Sequence, residues 1–294
     1  MGIWATFKTL IPDNPLDVYL LSMTDSGYTA GGALPMATGG AGAPNLGQFP
    51  YALKGNVAGG STRVYNLGAR IKGNGFTNLD YTVELNQQFG TAQDNNNINA
   101  FGGAAVVGYT VPDAMGFRVS GEYVYASGDS SPTTAGTEHK TFYQFTPSPH
   151  MHLGAQDLIA FQNIKAARLG ASFKPKDNLK LSADFWNFKL AQANDFWYES
   201  NGTTTRGGTG LLAPGFANLN TIGATGILAN DNVGNEIDLI ANYSYTKALS
   251  FEAGYSVFNP GSGITNALTA NLAGHTTGQG DAARFAWGML TLKF

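Results

Sequence analysis

The clearest hydrophobic pattern in the chain lies in residues 235–261, NEIDLIANYSYTKALSFEAGYSVFNPG. From Ile237 and Leu239 onwards, every second side chain is apolar or aromatic, and most of the side chains between them are polar. The same alternation resumes in residues 249–257. Because successive side chains of a strand face opposite sides of the sheet, this period of two predicts two strands. Residues 246–248 are too few to form anything but a hairpin turn.

Similar alternation recurs along most of the chain and predicts about 11–12 antiparallel strands. Besides the hairpin, the predicted strands are residues 2–10, 16–25, 61–72, 79–91, 98–111, 116–127, 164–174, 179–191 and 282–294. Short turns alternate with long connections, which are expected near residues 26–60, 128–163, 192–234 and 262–280. That arrangement is typical of barrels of the bacterial outer membrane. We therefore predict a single all-β domain, residues 1–294, folded as an antiparallel transmembrane β-barrel with long outer loops.

Composition excludes several other classes of protein. Charged residues make up 13% of the chain, about half of the ~25% that is usual in globular proteins. The net charge of −3 argues against a nucleic-acid partner. Cysteine is absent, which excludes disulfides, thiolate metal sites and cysteine nucleophiles. The sequence has no run of about 18 apolar residues, so a membrane would have to be crossed by strands.

The two faces of the predicted strands differ in chemistry, because one row is apolar or aromatic and the other carries charged or amide groups. A soluble sandwich would bury the first row against a second sheet, whereas a membrane barrel turns it towards lipid and encloses water with the second. Aromatic residues near strand ends favour the barrel as interfacial girdles: Phe89, Phe101, Tyr109, Tyr125, Trp186, Tyr245 and Phe258. The barrel must close, since open sheet edges cannot face lipid. The predicted pore-lining residues are Arg70, Lys72, Asp80, Glu84, Arg118, Glu122, Arg168, Lys180, Asp184, Glu236, Asp238 and Glu252.

The two chain ends add further expectations. The last predicted strand ends in Phe294, and a terminal aromatic residue there resembles the signal for the outer-membrane assembly machinery of bacteria. If the short turns are periplasmic, the strand count puts the first residue on the outer side, whereas such barrels keep both termini periplasmic. Met1–Leu10 lacks the regions of a signal peptide. We therefore expect either a further strand in residues 26–60 or a missing N-terminal part, and the absent signal peptide favours the latter.

Three stretches together resemble the alginate export family of outer-membrane barrels. The first is residues 142–163, FYQFTPSPHMHLGAQDLIAFQN, and the second is residues 169–198, ending LSADFWNFKLAQANDFWY. The third is the hairpin, with Gly234, the run Glu236–Leu239 and the exit Phe258–Gly261. The resemblance covers the second half of the chain closely and the first half loosely.

This resemblance implies a barrel of about 18 strands, of which the chain would supply a part. It also implies an anion-conducting pore for an acidic polysaccharide, lined by arginine and lysine with some carboxylates. The inward-facing set of this chain is mixed in sign. The loop that contains His150, His152, Asp157 and Asn163 is expected to fold into the lumen and constrict it.

Two patterns in the sequence could carry other chemistry. Glu236, Asp238 and Glu252 share one strand face, and a carboxylate pair is what glycoside hydrolysis needs, although acids are expected on any wet face. His150 and His152 with Asp157 could bind a metal, but a histidine pair on a loop without further ligands is more often packed or solvated. For each inward charge, pairing across strands and contact with solute both stay open. We assign no catalytic residue, metal or cofactor.

The sequence therefore predicts a non-enzymatic porin of the bacterial outer membrane that passes polar, anionic solutes or polysaccharide by diffusion. Its expected partners are membrane lipid, the solute and, through Phe294, the assembly machinery. Two alternatives stay open. One is an outer-membrane enzyme that acts on glycans with its luminal carboxylates, and the other is a structural barrel plugged by its long loops.

Overall fold

The computed structural model describes residues 1–11, 13–25, 61–92, 94–132, 134–145, 149–198, 200, 228, 230–271 and 281–293. The strands within these ranges are β1 Gly2–Phe7, β2 Leu16–Asp25, β3 Thr62–Phe76, β4 Leu79–Thr91, β5 Asn97–Thr110, β6 Arg118–Ala126, β7 Ile164–Lys176, β8 Leu179–Leu190, β9 Asn232–Ser244, β10 Leu249–Pro260 and β11 Ala283–Leu292. An α-helix, α1, spans Ser262–Asn271, and a 3-10 turn spans Pro149–Met151. Within the described ranges, no helix is long and apolar enough to cross a membrane.

All 11 strands belong to one antiparallel sheet in which the order along the sheet is the order along the chain. Every strand therefore pairs with its neighbours in sequence, as an up-and-down barrel wall requires. Among the described residues, β1 pairs only with β2 and β11 only with β10, and the two do not pair with each other. The predicted closure of the sheet is thus not seen within these residues.

The strand number and order predicted from the alternation are confirmed. Short turns such as Thr77–Asn78 reverse the chain because asparagine tolerates the left-handed region, and Asn78 has a φ of 63°. Two predictions of local structure were wrong. The first strand ends at Phe7 instead of Leu10, before the chain turns at Pro15, and the predicted loop near 262–280 begins with α1. The possible extra strand in residues 26–60 lies outside the described residues.

One face of the sheet exposes a continuous set of large apolar side chains, including Leu20, Leu67, Leu85, Val107, Val119, Leu169, Phe185, Leu239, Phe251 and Leu290. The most exposed of these, Leu169, is 71% accessible. In the part of the chain that the structure describes, no second sheet covers this face. Contiguous apolar surface of this extent is unusual on a protein in water, whereas lipid accommodates it. We call this the outward face and the opposite one the luminal face.

The luminal face is buried at the end of the sheet that carries the long connections. Val124, Ile164 and Leu190 form a core there with side chains of the connection between β6 and β7. Trp186 and Phe258 belong to this core and are 3% and 0% exposed, so their assignment to an interfacial girdle was wrong. The alternation itself places both on the luminal row, opposite Glu236, so the girdle assignment followed the residue type and not the face of the strand. Phe89, Phe101, Tyr109 and Tyr245 are exposed, as predicted.

Candidate functional site

The uncovered part of the luminal face carries a ladder of ion pairs between strands. Arg70 on β3 contacts Asp17 on β2 at 2.9 Å, and Arg118 on β6 contacts Asp80 on β4 at 2.6 Å. Arg168 on β7 bridges Glu122 on β6, at 2.9 Å, and Asp184 on β8, at 2.6 Å. These pairs follow from the register, which places Arg168 directly between Glu122 and the strand that carries Asp184. The three luminal arginines in the described ranges therefore have carboxylate partners and brace the wall across strands.

The luminal lysines behave differently from the arginines. Lys72, near the end of β3, and Lys180, at the start of β8, are exposed and lie on the luminal rows. Within the described ranges, neither makes an ion pair at up to 4.0 Å. Both lie at the end of the sheet that carries the short turns. Lysine charge that faces water in a lumen attracts anions over about 8–10 Å at physiological salt.

The described residues 142–145 and 149–163, which we name the constriction segment, lie on the luminal face. Leu153, Leu158 and Ile159 are buried against strands from β5 to β11. At one end, Gln88 on β4 exchanges hydrogen bonds with the backbone of Tyr143, at 2.6 and 2.9 Å. The segment thus contacts strands from β4 to β11, so the luminal face curves around it.

Polar contacts fix the middle of the constriction segment to the wall. His152 Nδ1 donates to Glu122 at 2.6 Å, since a carboxylate can only accept. The Gln156 backbone N–H donates to Glu236 at 3.0 Å, and the Gln156 side chain donates to Ser256 Oγ at 3.0 Å. Between them, Gly154 has a φ of 89° and lies so close to Glu236 that a Cβ would be 2.6 Å from a carboxylate oxygen. Glycine is needed here for its backbone conformation and for the close approach.

A buried aspartate holds the start of the constriction segment to the connection after β8. Asp195 is 0% exposed and accepts hydrogen bonds from the Asp129 and Phe196 backbone N–H groups, both at 2.8 Å. It also accepts from Thr141 Oγ1 at 2.7 Å and from Tyr198 Oη at 3.1 Å. Burial raises the pKa of Asp195 to about 6, although these donors act against the shift. The two long connections are therefore joined through one carboxylate, which we call the Asp195 knot.

A second contact holds the connection between β6 and β7 to the end of β4. His139 Nε2 is 2.9 Å from Asp94, which follows β4, and both side chains are nearly buried. Burial raises the pKa of Asp94, but hydrogen bonds from Asn96 and His139 outweigh it, so the pKa lies below its ordinary value.

The four residues predicted for the constriction loop have separate roles. His152 contacts the wall, and Asn163 is fully buried, donating from its amide to the carbonyls of Gln192 and Phe196 at 3.1 and 2.9 Å. His150 pairs instead with Asp157 at 3.2 Å on the exposed side, and burial raises the pKa of Asp157. The two histidines therefore point to different carboxylates and do not converge on one position.

Of the three carboxylates that could have formed a hydrolytic pair, Glu252 is separated from the other two, whereas Glu236 and Asp238 are neighbours on the luminal row of β9 and are buried. Glu236 and Asp238 are 1% and 2% exposed beneath the constriction segment. Glu252 lies six residues along β10 from Phe258, the register partner of Glu236, which is about 20 Å at 3.3 Å per residue. Glycoside hydrolysis needs two carboxyl groups roughly 5–9.5 Å apart. Glu252 instead accepts a hydrogen bond from the Trp287 indole at 3.0 Å.

Sequence reasoning missed one luminal cluster. Trp4 and Tyr19 stack with ring centroids 4.5 Å apart, and Asn66, Asn86 and Gln88 lie on the same face. Amides within strands were taken only as part of the polar row. The odd–even pattern that placed the charged residues would have placed these side chains as well.

Comparison with known proteins identifies the family. The sequence model described as alginate export matches residues 7–276, which is most of the chain. The chain belongs to the alginate export family. As a member, it is a transmembrane β-barrel of the bacterial outer membrane and a channel or transporter by family. A comparison with curated proteins gave no match.

Three solved outer-membrane proteins are similar in fold to this family member. A NanC porin aligns over 100% of this chain and 97% of its own, with 7% identity and a TM-score of 0.37. The channel DcaP of Acinetobacter baumannii aligns over 99% of this chain, which spans 61% of DcaP, with 13% identity and a TM-score of 0.42. The toluene transporter TodX of Pseudomonas putida aligns over 87% of this chain and 67% of its own, with 10% identity and a TM-score of 0.34. These scores are low, so the assignment rests on the family match.

Proposed function

We propose that this chain forms the wall of a passive outer-membrane pore for polar solutes, with anions favoured and without catalysis. The observation that carries the proposal is the contrast between the two faces of the sheet, one apolar and uncovered, the other charged. Residues 1–294 act as one domain in this proposal. The assembly role of Phe294 stays a proposal too, and this residue lies outside the described part of the chain.

The proposed selectivity depends on which luminal charges are paired and which are not. Each of the three luminal arginines is neutralised by a carboxylate, whereas Lys72 and Lys180 face water without an ion pair in the described ranges. Fixed charge that is already paired contributes little field to the pathway, so the two lysines set the preference at the short-turn end of the sheet, where Glu252 is hydrogen-bonded to the Trp287 indole. The family implies an acidic polysaccharide as the solute, and such a polysaccharide is a polymer of anionic units.

Reversing the two lysine charges should reverse the preference for anions. In planar bilayers under a potassium chloride gradient, the unaltered protein should conduct and favour chloride. Lys72→Glu with Lys180→Glu should lower the chloride-to-potassium permeability ratio by roughly twofold or more, since both charges act within a Debye length of the pathway. The matched control is Lys247→Glu, at the same end of the sheet but in the turn after β9. An equal shift in the control, or a correctly folded protein without conductance, would contradict the proposal.

The constriction segment should control how much current the pore passes. Gly154→Ala places a methyl group 2.6 Å from Glu236 and strains a positive φ, so the segment should leave the wall. Overpacking costs about 1–3 kcal/mol, enough to raise the time spent in a high-conductance level by roughly fivefold or more. Single-channel recording measures this fraction.

Gly136→Ala is the control for backbone strain in that experiment. Gly136 also has a positive φ, of 74°, but a Cβ there would meet nothing within 4 Å. It should leave the conductance levels unchanged. If both variants behave alike, the segment does not constrict the pathway. Flux of polar solutes at the level of the unaltered protein would also separate a constricted pore from a plugged structural barrel, which should pass none.

A further inference from the structure

The luminal cluster that sequence reasoning missed surrounds a cavity of about 370 Å³. Its walls come from β1 to β5 on one side and from the constriction segment, including Phe142 and Tyr143, on the other. This volume lies in the lower part of the ~300–1,000 Å³ range of small-molecule sites. The cavity therefore lies where a solute would pass between wall and constriction.

The aromatic part of the cavity offers a flat surface. Trp4 and Tyr19 are parallel to within 6°, and Trp4 is 49% exposed although it points to the luminal face. The indole nitrogen of Trp4 is held by Asp17 at 3.3 Å, so the ring orientation is fixed. Tyr19 stacks on the Trp4 ring, and the Arg70 guanidinium carbon lies over that ring at 5.5 Å from its centroid, so the part of Trp4 that stays exposed is the surface offered to the apolar C–H face of a sugar ring.

In the polar part of the cavity, hydrogen bonds fix several side chains, and one buried acceptor lacks a donor among the described residues. Tyr19 donates its hydroxyl proton to Glu84, and the Asn66 amide donates to Asn86 Oδ1 at 2.7 Å. Asn66 is 5% exposed, and among the described residues its own carbonyl oxygen, Oδ1, has no hydrogen-bond partner. A buried acceptor without a donor costs free energy unless something supplies that donor. A hydroxyl group of a bound solute would do so.

Charge decides which hydroxyl-rich solute fits. Arg70, whose guanidinium lies over the Trp4 ring, is paired with Asp17, and His152 is turned to Glu122. Glu84 makes no ion pair within the described ranges, so it leaves a net negative charge at the cavity. Like charges at contact distance repel by about 1–4 kcal/mol at intermediate dielectric. An uncharged ring is therefore favoured here over a uronate, although lysines attract anions at the other end.

We propose that this cavity is a binding site for an uncharged sugar ring, stacked on Trp4 and hydrogen-bonded to Asn66 and Glu84. The proposal deepens the pore function and rests on it, because it makes the cavity a station on the solute pathway. A pore that has a binding site for uncharged sugars and an end that attracts anions suits a glycan that contains both neutral and acidic sugars.

The test uses two probes that differ only at C6, methyl β-glucoside with a hydroxymethyl group and methyl β-glucuronide with a carboxylate. Binding to the full chain in detergent is measured by saturation-transfer NMR, which needs no ion conduction. The glucoside should bind about tenfold more tightly than the glucuronide, and Trp4→Ala or Asn66→Ala should each weaken glucoside binding about tenfold. Trp287→Ala is the control, since Trp287 also stacks on a ring, that of Phe285, and also donates to a carboxylate, but it lies outside this cavity.

Equal affinity for the two probes, no binding of the glucoside, or equal losses in the Trp4 and Trp287 variants would overturn the assignment. If Trp4→Ala fails to fold, Asn66→Ala decides alone. Conduction without sugar binding would refute this site and leave the pore. Sugar binding by a protein that never conducts would support the site and refute the pore.

Discussion

Leu239→Arg should lower the free energy of unfolding in lipid bilayers by about 2–4 kcal/mol, the cost of a cation on the lipid face near the midplane of a barrel. Leu239 is exposed in the middle of β9, with Ala183 and Tyr255 as its register partners on the outward face. On a soluble sheet the same change would replace an exposed apolar side chain by a charged one, with an effect within about 0.5 kcal/mol. Urea unfolding of the protein in liposomes measures the difference.

The control for this experiment lies three residues away on the same strand. Asn242 faces the lumen between Lys180 and Glu252, so Asn242→Arg puts the same cation into water. It should change the free energy of unfolding by less than about 1 kcal/mol. Equal costs for the two variants would mean that the outward face does not meet lipid. The membrane assignment, the pore and the selectivity would then fail together, since all of them depend on which face is wet.

The part of the fold that could be predicted from the sequence is the part set by strand periodicity. Leu239 and Glu236 were assigned to opposite faces because a side-chain period of two leaves no other choice. Trp186 and Phe258 were misplaced because the girdle assignment followed their aromatic character and their position near strand ends, although the same period puts both on the luminal row. The helix α1 follows Gly261 with no strong apolar period to mark it, so no local signal separated it from a loop.

The candidate site could be predicted only where charge was involved. Arg168 and Glu122 were identified because ionisable residues in strands are conspicuous. The contact of Gln156 with Glu236 joins residues 80 apart in the chain, and nothing in either stretch alone encodes it. Asn66 was placed on the polar row with Arg70 and Lys72, but Asn66 and Trp4 were not recognised as parts of one site because an amide and an aromatic ring are common on both faces of a barrel strand. Only the cavity that both residues line shows that they belong to one site.

Asp195→Ala should release the two long connections from each other, because it removes the acceptor for four buried donors. An unsatisfied buried donor costs about 1–3 kcal/mol, so the local free energy of opening should fall by at least roughly 3 kcal/mol after partial relaxation. The chain has no cysteine, so a thiol introduced by Ala160→Cys, at a position that is 0% exposed beside the knot, reports opening by its labelling rate. Asp157→Ala is the control, because Asp157 is half-exposed and pairs only with His150.

The Asp195 knot should also respond to pH in a defined direction. Burial raises the pKa of Asp195 from 3.8 to about 6, so between these values the closed knot holds a proton that the open form has lost. The closed state is therefore most stable below pH 4 and loses roughly 3 kcal/mol as the pH rises through 6. Labelling normalised at each pH to the urea-unfolded protein should accelerate over this range. Asp195→Asn, which cannot ionise, should abolish the acceleration, and a pH profile unchanged by this substitution would show that another group controls the opening.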